Sequence, residues 1–492
     1  MSILPYGRLH PLHPSFEATG ADVLQRFLYI FEESADESIS RELPELRKRS
    51  IDLCRNSIFG GVTGTMVTNV VGGGIRLQIE LPFRKLGMSE QDAAEMEERA
   101  ETLWKLHTES EDIDASRTKN IYGLQKTAAH NWFEAGDAIS QLCSLTRQYS
   151  VSDLAINMID PARVSNPFYR MDNPMFSGGI EKGTFGEPIR YHILAADSQF
   201  QNNWVPVSVF HDAGLRNICH IYTETRAGQS RGVPFITPVM KSFAHIHKYQ
   251  EAELKAAAIA AFFAIMIKHA EAGGSTPGME GVDIMSTLGT PQQNGPSVDV
   301  KMAPGQAVTL PQGYDFETIK SDRPNSGYGA FIDSKFREVA MGLEIPYEIL
   351  IKTFGASYSA SRGAMLEFWK LVKVFRALFN QRFNQHVFER FMFEMVAKGQ
   401  IPIPRYLTDP YTRRLINMSA VWIGPPRGMI DEEKEARAAE KRINTGLTTL
   451  KEEIISMTGG DLNSKYTQMK AERRMKKELE AIDNEFQTAG VA

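Results

Sequence analysis

The feature that most constrains this chain is ITPVMKSFAHIHKYQEAELKAAAIAAFFAIMIKHA, residues 236–270. Its composition predicts one long helix that starts where Pro234 and Pro238 set the chain. At 1.5 Å per residue such a helix extends about 50 Å, more than a small domain is wide. Its alanine-rich second half lets neighbouring helices approach closely. The most apolar stretch, AAAIAAFFAIMI at 256–267, lies between Lys255 and Lys268 and is too short to cross a bilayer. A chain of 492 residues exceeds one ordinary core, so several domains or one elaborate assembly are expected.

Around this rod the pattern alternates. The first 20 residues, rich in proline and histidine, read as an arm, and helical patterns follow at 21–34 and 40–60. MVTNVVGGGIRLQIEL reads as extended, whereas 89–109 and 114–150 return to helix. Residues 151–225 are strand-rich, with YHIL, VPVSVF and ICHIYTE between turn signals. Residues 271–315 form a glycine- and proline-rich insertion with brief strand signals, SVDVKM and QAVTL. A helix at 328–343 ends at EIPYE, where Pro346 stops it. GASYSASRGAMLEFWK (355–370) then opens another helix, with Ser359 or Ser361 as its cap. Met365, Phe368, Trp369, Val372, Phe375 and Phe379 line one face of that helix, opposite Glu367, Lys370 and Lys373. A second stripe runs from Phe383 to Met395, and a break is expected between Phe379 and Phe383. Charged helices occupy the tail from 431. The fold class is α+β, mainly α.

Charge and motifs narrow the function. The net charge is −5, whereas a protein that grips nucleic acid through many phosphates carries a basic excess. Cys54, Cys143 and Cys219 are too few and too scattered for a disulfide framework or a CxxC metal site. The N-terminus lacks a charged-then-apolar signal pattern, so an intracellular protein is expected. VVGGGIRLQ fails the dinucleotide fingerprint because Leu77 stands where glycine is needed, and no phosphate-loop motif occurs. His211, His220, His245 and His247 cluster loosely with Asp212 and Cys219, but His245 and His247 are two apart and point to different helix faces. No GxSxG elbow is present. An enzyme reading, such as a nuclease or an ATPase, therefore has no anchor, and no cofactor or metal is expected. RAGQSRGVPFITPVM (226–240) is more pointed. Arg226, Gln229 and Arg231 either form a polar turn feeding the long helix or act as forks that fix a joint between domains or subunits.

GQSRGVPFITPVMKSFAHIHKYQEAELKAAAIAA resembles the corresponding segment of the lambda-type family of tailed-phage portal proteins. Four further segments resemble that family in the same order. They are LRKRSIDLCRNSIFGGVTGTMVTNVVGGGIRLQ; IDPARVSNP with GGIEKGTFGEPIRYHI; GLEIPYEILIKTFGASYSASRGAMLEFWK; and VWIGPPRGMIDEEKEARAAEKRINTGLTTLKE. Together they cover most of 40–460. Glu432 departs from the family, which commonly has proline there.

The resemblance implies a head-tail connector: a ring, usually of twelve subunits, at one capsid vertex. Double-stranded DNA passes through it during packaging and ejection. It also implies docking of the terminase large subunit, the major capsid protein and head-completion or adaptor proteins, without a membrane. The location implied is the virion, with assembly in the host cytoplasm. The implied regions are an arm (1–20), an α+β wing (21–239), stem helix one (240–270), a β-containing clip (271–357), stem helix two (358–378), a tunnel loop and wing helix (379–415) and a helical crown (416–492). Lys370, Lys373, Arg376 and Arg382 become candidates for the DNA channel, and Arg226, Gln229, Arg231, Arg362 and Glu367 for subunit or domain joints. Twelve copies at −5 would carry about −60, which repels a duplex and lets it slide.

Overall fold

The computed structural model describes residues 34–195, 203–262, 266–269, 314–317, 327–355, 357–429, 431–460 and 462–489. The expected arm, nearly all of the helix at 21–34 and most of the 271–315 insertion, with SVDVKM and QAVTL, lie outside the described residues. The chain divides into two compact units. One combines the residues up to Lys241 with those from Val339 onward, and the other is Ser242–Glu338.

The larger unit opens with three helices, α1 (Ala35–Ser40), α2 (Leu43–Asn56) and α3 (Gly60–Val70). Ser34 and Glu37 form a capping box on α1. MVTNV, expected as extended, is the end of α3. Met66, Val67 and Val70 bury one face of this helix, and that packing overrides the strand preference of its β-branched residues. Strand β1 (Arg76–Ile79) follows, then α4 (Phe83–Leu86), α5 (Glu90–Thr108) and α6 (Ile121–Ala135).

The helix expected to reach residue 150 stops at Gly136, whose φ of 87° is a left-handed C-terminal cap. Strand β2 (Asp137–Ser144) begins immediately after it. It is the centre of an antiparallel sheet flanked by β3 (Leu154–Ile159) and β8 (Ile218–Tyr222). A second antiparallel sheet has the order β4 (Phe176–Ser177), β5 (Ile180–Lys182), β6 (Pro188–Leu194) and β7 (Trp204–Ser208). Ile139, Ile159 and Ile218 of the first sheet share one buried cluster with Ile180, Tyr191 and Ile193 of the second. The strand-rich expectation for 151–225 is met.

The smaller unit holds nearly all of α7 (Met240–Phe262), β9 (Met266–His269), β10 (Tyr314–Glu317) and most of α8 (Tyr328–Gly342). The long helix is thus shorter than expected. It ends at Phe262, and Met266–His269 pairs antiparallel with Tyr314–Glu317 instead. Tyr249 of α7 stacks on Tyr328 of α8 at 5.7 Å and Ser242 donates to Glu338 at 2.7 Å.

Back in the larger unit, α9 (Tyr347–Leu350) precedes α10 (Tyr358–Phe379), and α11 is Gln385–Ala397. The cap of α10 is Ser357, whose hydroxyl accepts the Ala360 N–H, in place of Ser359 or Ser361. The break expected near residue 380 is absent, because Asn380–Asn384 forms a π-turn joining α10 to α11. Phe379, Phe383, Val387, Phe391 and Met395 recur every four residues and are all buried. That spacing drifts about 40° per step around an α-helix, and the wider π-turn takes back part of the drift. Buried Asn384 secures the turn by donating to Asn380 at 2.8 Å and accepting from Gln125 at 3.0 Å.

Next come α12 (Pro410–Asn417) and β11 (Ala420–Ile423). β11 pairs with β1, Arg76 opposite Ile423, so residues placed with the crown complete the N-terminal part of the unit. The tail comprises α13 (Glu432–Asn444), α14 (Leu450–Thr458) and α15 (Leu462–Ala489).

Candidate functional site

The loop before α7 is held by two buried carboxylates. Arg231 is 1% exposed and Asp137 is fully buried. Arg231 Nε donates to Asp137 Oδ2 at 2.6 Å. Its Nη1 donates to the carbonyls of Val164 (2.9 Å) and Gly178 (2.5 Å), and its Nη2 to that of Pro161 (3.0 Å). One guanidinium therefore ties the start of β2 to the 160s loop and the β4–β5 turn. Arg47 of α2 donates to Asp137 and to the Ala135 carbonyl as well. Asp137 also accepts from the Gly232 N–H and from His220 Nε2 at 3.2 Å. An ionised carboxylate only accepts, so the ring proton sits on Nε2 and Nδ1 accepts from the Tyr191 hydroxyl at 2.9 Å. Burial alone would raise the Asp137 carboxyl, but Arg231, Arg47 and His220 overcome it and hold it well below the usual carboxylate range.

Asp36 grips the same loop through the Ser230 N–H (2.7 Å) and hydroxyl (2.8 Å), and it pairs with Lys182. Gln229 is buried; it donates to the Thr223 and Arg231 carbonyls and accepts from the Thr225 N–H at 2.9 Å. The backbone leaves no slack. A Cβ on Gly232 would lie 1.9 Å from the Gly136 carbonyl oxygen, and one on Gly178 would lie 2.8 Å from Arg231 Cγ. The fork expected at 226–231 is therefore a joint within one unit. Arg226, by contrast, is exposed and reaches Ser38 at 3.3 Å. Sequence reading missed Asp36, Arg47 and His220 as partners, because they lie far from residue 231 along the chain.

The cations of the α10–α11 rod separate into two kinds. Arg376 Nε and Nη2 donate to the carbonyls of Val70 (3.0 Å) and Asn69 (2.7 Å), and its guanidinium lies 4.9 Å from the Trp369 ring. It caps the C-terminus of α3, where carbonyls lack helical partners. Burial lowers its pKa to about 10. Arg382 lies 4.4 Å from the Tyr222 ring and 3.7 Å from a Glu224 oxygen. Both are occupied with the fold. Lys370 is 72% exposed and pairs with Glu367 at 2.7 Å, while Lys373 is exposed and has no ion pair among the described residues. Within the chain Glu367 forms a surface pair with Lys370. Arg362 forms a joint, meeting Glu435 of α13 at 3.0 Å beside Arg427 at 3.2 Å. A cavity of about 170 Å³ opens there between Met365, Trp369 and Gly428.

Among the described residues, no group of three or more His, Cys, Asp or Glu is placed to hold a metal ion. No described helix is long and apolar enough to cross a membrane. What this geometry offers is a continuous helical rod with two exposed lysines and, before α7, a loop held by buried charge.

A family model described as phage portal protein, lambda family, matches residues 29–376. The portal protein of Escherichia phage N15 is 23% identical over 451 residues, covering 89% of this chain and 85% of its own. Portal protein B of Escherichia phage lambda is 22% identical over 461 residues, covering 89% and 84%. Among solved structures, a chain in the neck of an empty GTA particle aligns with 84% of this chain and 93% of its own, at 12% identity and a TM-score of 0.46. A chain in the virion of a native gene transfer agent particle covers 84% and 92%, at 12% identity and a TM-score of 0.44.

Proposed function

This chain belongs to the lambda family of phage portal proteins, and from that membership we propose that its copies form a ring at one capsid vertex. Twelve copies are expected, around a passage for double-stranded DNA during packaging and ejection. The observation that carries the reading is the family match over residues 29–376. Terminase large subunit, major capsid protein and head-completion proteins are the partners that go with it, and the virion is its place.

In this reading α7 and α10 supply the stem, the residues between them the clip, and α13 to α15 the crown. The channel face is Lys373, with Lys370 screened by Glu367. These are the exposed cations of α10, and a sliding polyanion needs contacts that are few and brief. Arg376 and Arg382 are set aside, because their donors and ring contacts are engaged within the fold.

Electron microscopy of the purified protein tests the assembly. Rings with a central hole are expected, and a monomer at every concentration would overturn the proposal. Lys373→Glu should leave rings intact yet slow DNA packaging in a reconstituted head. Packaging at the wild-type rate would remove Lys373 from the channel.

A further inference from the structure

The last helix is assigned to the crown only by its place in the chain, and its charge pattern is not that of an ordinary solvated face. α15 runs for 28 residues, yet residues 472–480 are exposed all the way round. A stretch of helix with no packed face is marginal in water and gains stability from a partner. Met475 and Leu479 are each 61% exposed. With Ile482 and Phe486 they recur at spacings of four, three and four, the seam of a coiled coil.

Charge is sorted along the same stretch. Lys470, Arg473, Arg474, Lys476 and Lys477 stand against one acid, Glu472, in the first half, and Glu478, Glu480, Asp483 and Glu485 follow with no base among them. None of Lys470, Arg473, Arg474, Lys476, Lys477, Glu478 and Glu480 forms an ion pair among the described residues. Beyond their neighbours one turn away on the same helix, the described members of the two runs have no ion-pair partner among the described residues, and each run is the complement of the other.

We infer that α15 is a self-association element whose partner is the same helix of a second copy, the basic run of one against the acidic run of the next. Two parallel helices in register would set like charge on like. A shift of one heptad, about 10 Å, keeps the apolar seam matched and brings opposite runs together. A shifted contact uses two different patches of the same helix, a head-to-tail interface that closes into a ring when the helices tilt from the ring axis. The inference rests on the ring proposed above for this arrangement of neighbours.

The test uses full-length protein assembled from a mixture of isotope-labelled and unlabelled copies, treated with a carbodiimide that joins a lysine amine to a touching carboxylate. Links between Lys470, Lys476 or Lys477 of one copy and Glu478, Glu480, Asp483 or Glu485 of another are expected. In the variant R473E/R474E/K476E/K477E, and in E478K/E480K/D483K/E485K, contacts between copies of α15 should weaken roughly tenfold. Mixing the two variants should restore them, since each supplies the run the other lacks. Assembled wild-type protein without such links, or reversal variants that associate through α15 as wild type does, would overturn the inference while leaving the ring intact. Links found in an assembly that is not a ring would keep the inference and remove the portal reading. Basic-run reversal that alters only DNA retention would assign the run to nucleic acid and overturn self-pairing.

Discussion

Asp137 shows what one residue holds together. It is an unexposed carboxylate facing two guanidiniums, one imidazole and one backbone N–H. Asp137→Asn would leave Arg47 and Arg231 buried without a counter-charge. A loss of about 3–5 kcal/mol is expected, read as a shift of the denaturation midpoint in guanidinium or urea. Arg231→Lys should come close to that loss, because an ammonium cannot span the acceptors reached by the fork. His220 adds a pH dependence. Burial lowers its pKa against the favourable pull of Asp137, with Arg231 and Arg382 lowering it further. The unfolded chain therefore takes up a proton at pH values where the folded one does not. Stability should be complete above about pH 6.5 and decline as pH falls below it. Asp137, also depressed, adds a second loss below about pH 4. Thermal melts from pH 7.5 to 5 should show the first decline, and His220→Gln should make it shallower without abolishing it, since burial lowers His107 and His130 too. A decline of the same steepness in the variant would remove His220 from this role.

The two helical stripes of the rod, Tyr358–Phe379 and Gln385–Ala397, were legible as separate elements, because their aromatic residues recur at helical spacing. The π-turn between them was not. A single widened turn leaves no mark in composition, and NQRFN reads as a break to any rule of polarity. The same limit applies at Met266–His269, where a distant strand, Tyr314–Glu317, supplies the hydrogen bonds that decide the conformation. Deleting exposed Gln381 should convert the π-turn to α, because such a turn is one residue inserted into an α-helix, and should keep Phe388 and Phe391 in register with Trp104, which they meet at 6.1 and 5.3 Å. Inserting one alanine after Gln385 should instead rotate the rest of α11 by about 100° and abolish cooperative melting; an unchanged melt in the insertion variant would show that register to be dispensable. Arg376 belongs to this scale because it joins two helices. Arg376→Ala should cost about 1–2 kcal/mol, as for a lost cap, with no direct effect on passage of DNA. Lys373→Ala should leave stability within about 0.5 kcal/mol. Equal stability effects in the two variants would contradict the division between anchor and channel cations.

At the scale of the whole molecule, five segments in order carried the family resemblance, and the match over 29–376 bears it out. Less of the joint was legible: Arg231 stood out, but its partner Asp137 lies more than ninety residues away. The net charge of −5 has its consequence here. Assembled rings should hold free duplex only weakly near physiological salt, and a mobility shift with a stable complex there would contradict a sliding passage. The knot around Asp137 has a further consequence, which belongs to descent. Its arginine, carboxylate and glycines fit so closely that a Cβ at Gly232 would strike the Gly136 carbonyl at 1.9 Å. No member of the set tolerates a change alone. Through the divergence of relatives, Arg47, Asp137, Gly178, Arg231 and Gly232 should be inherited as one unit, kept together or exchanged together.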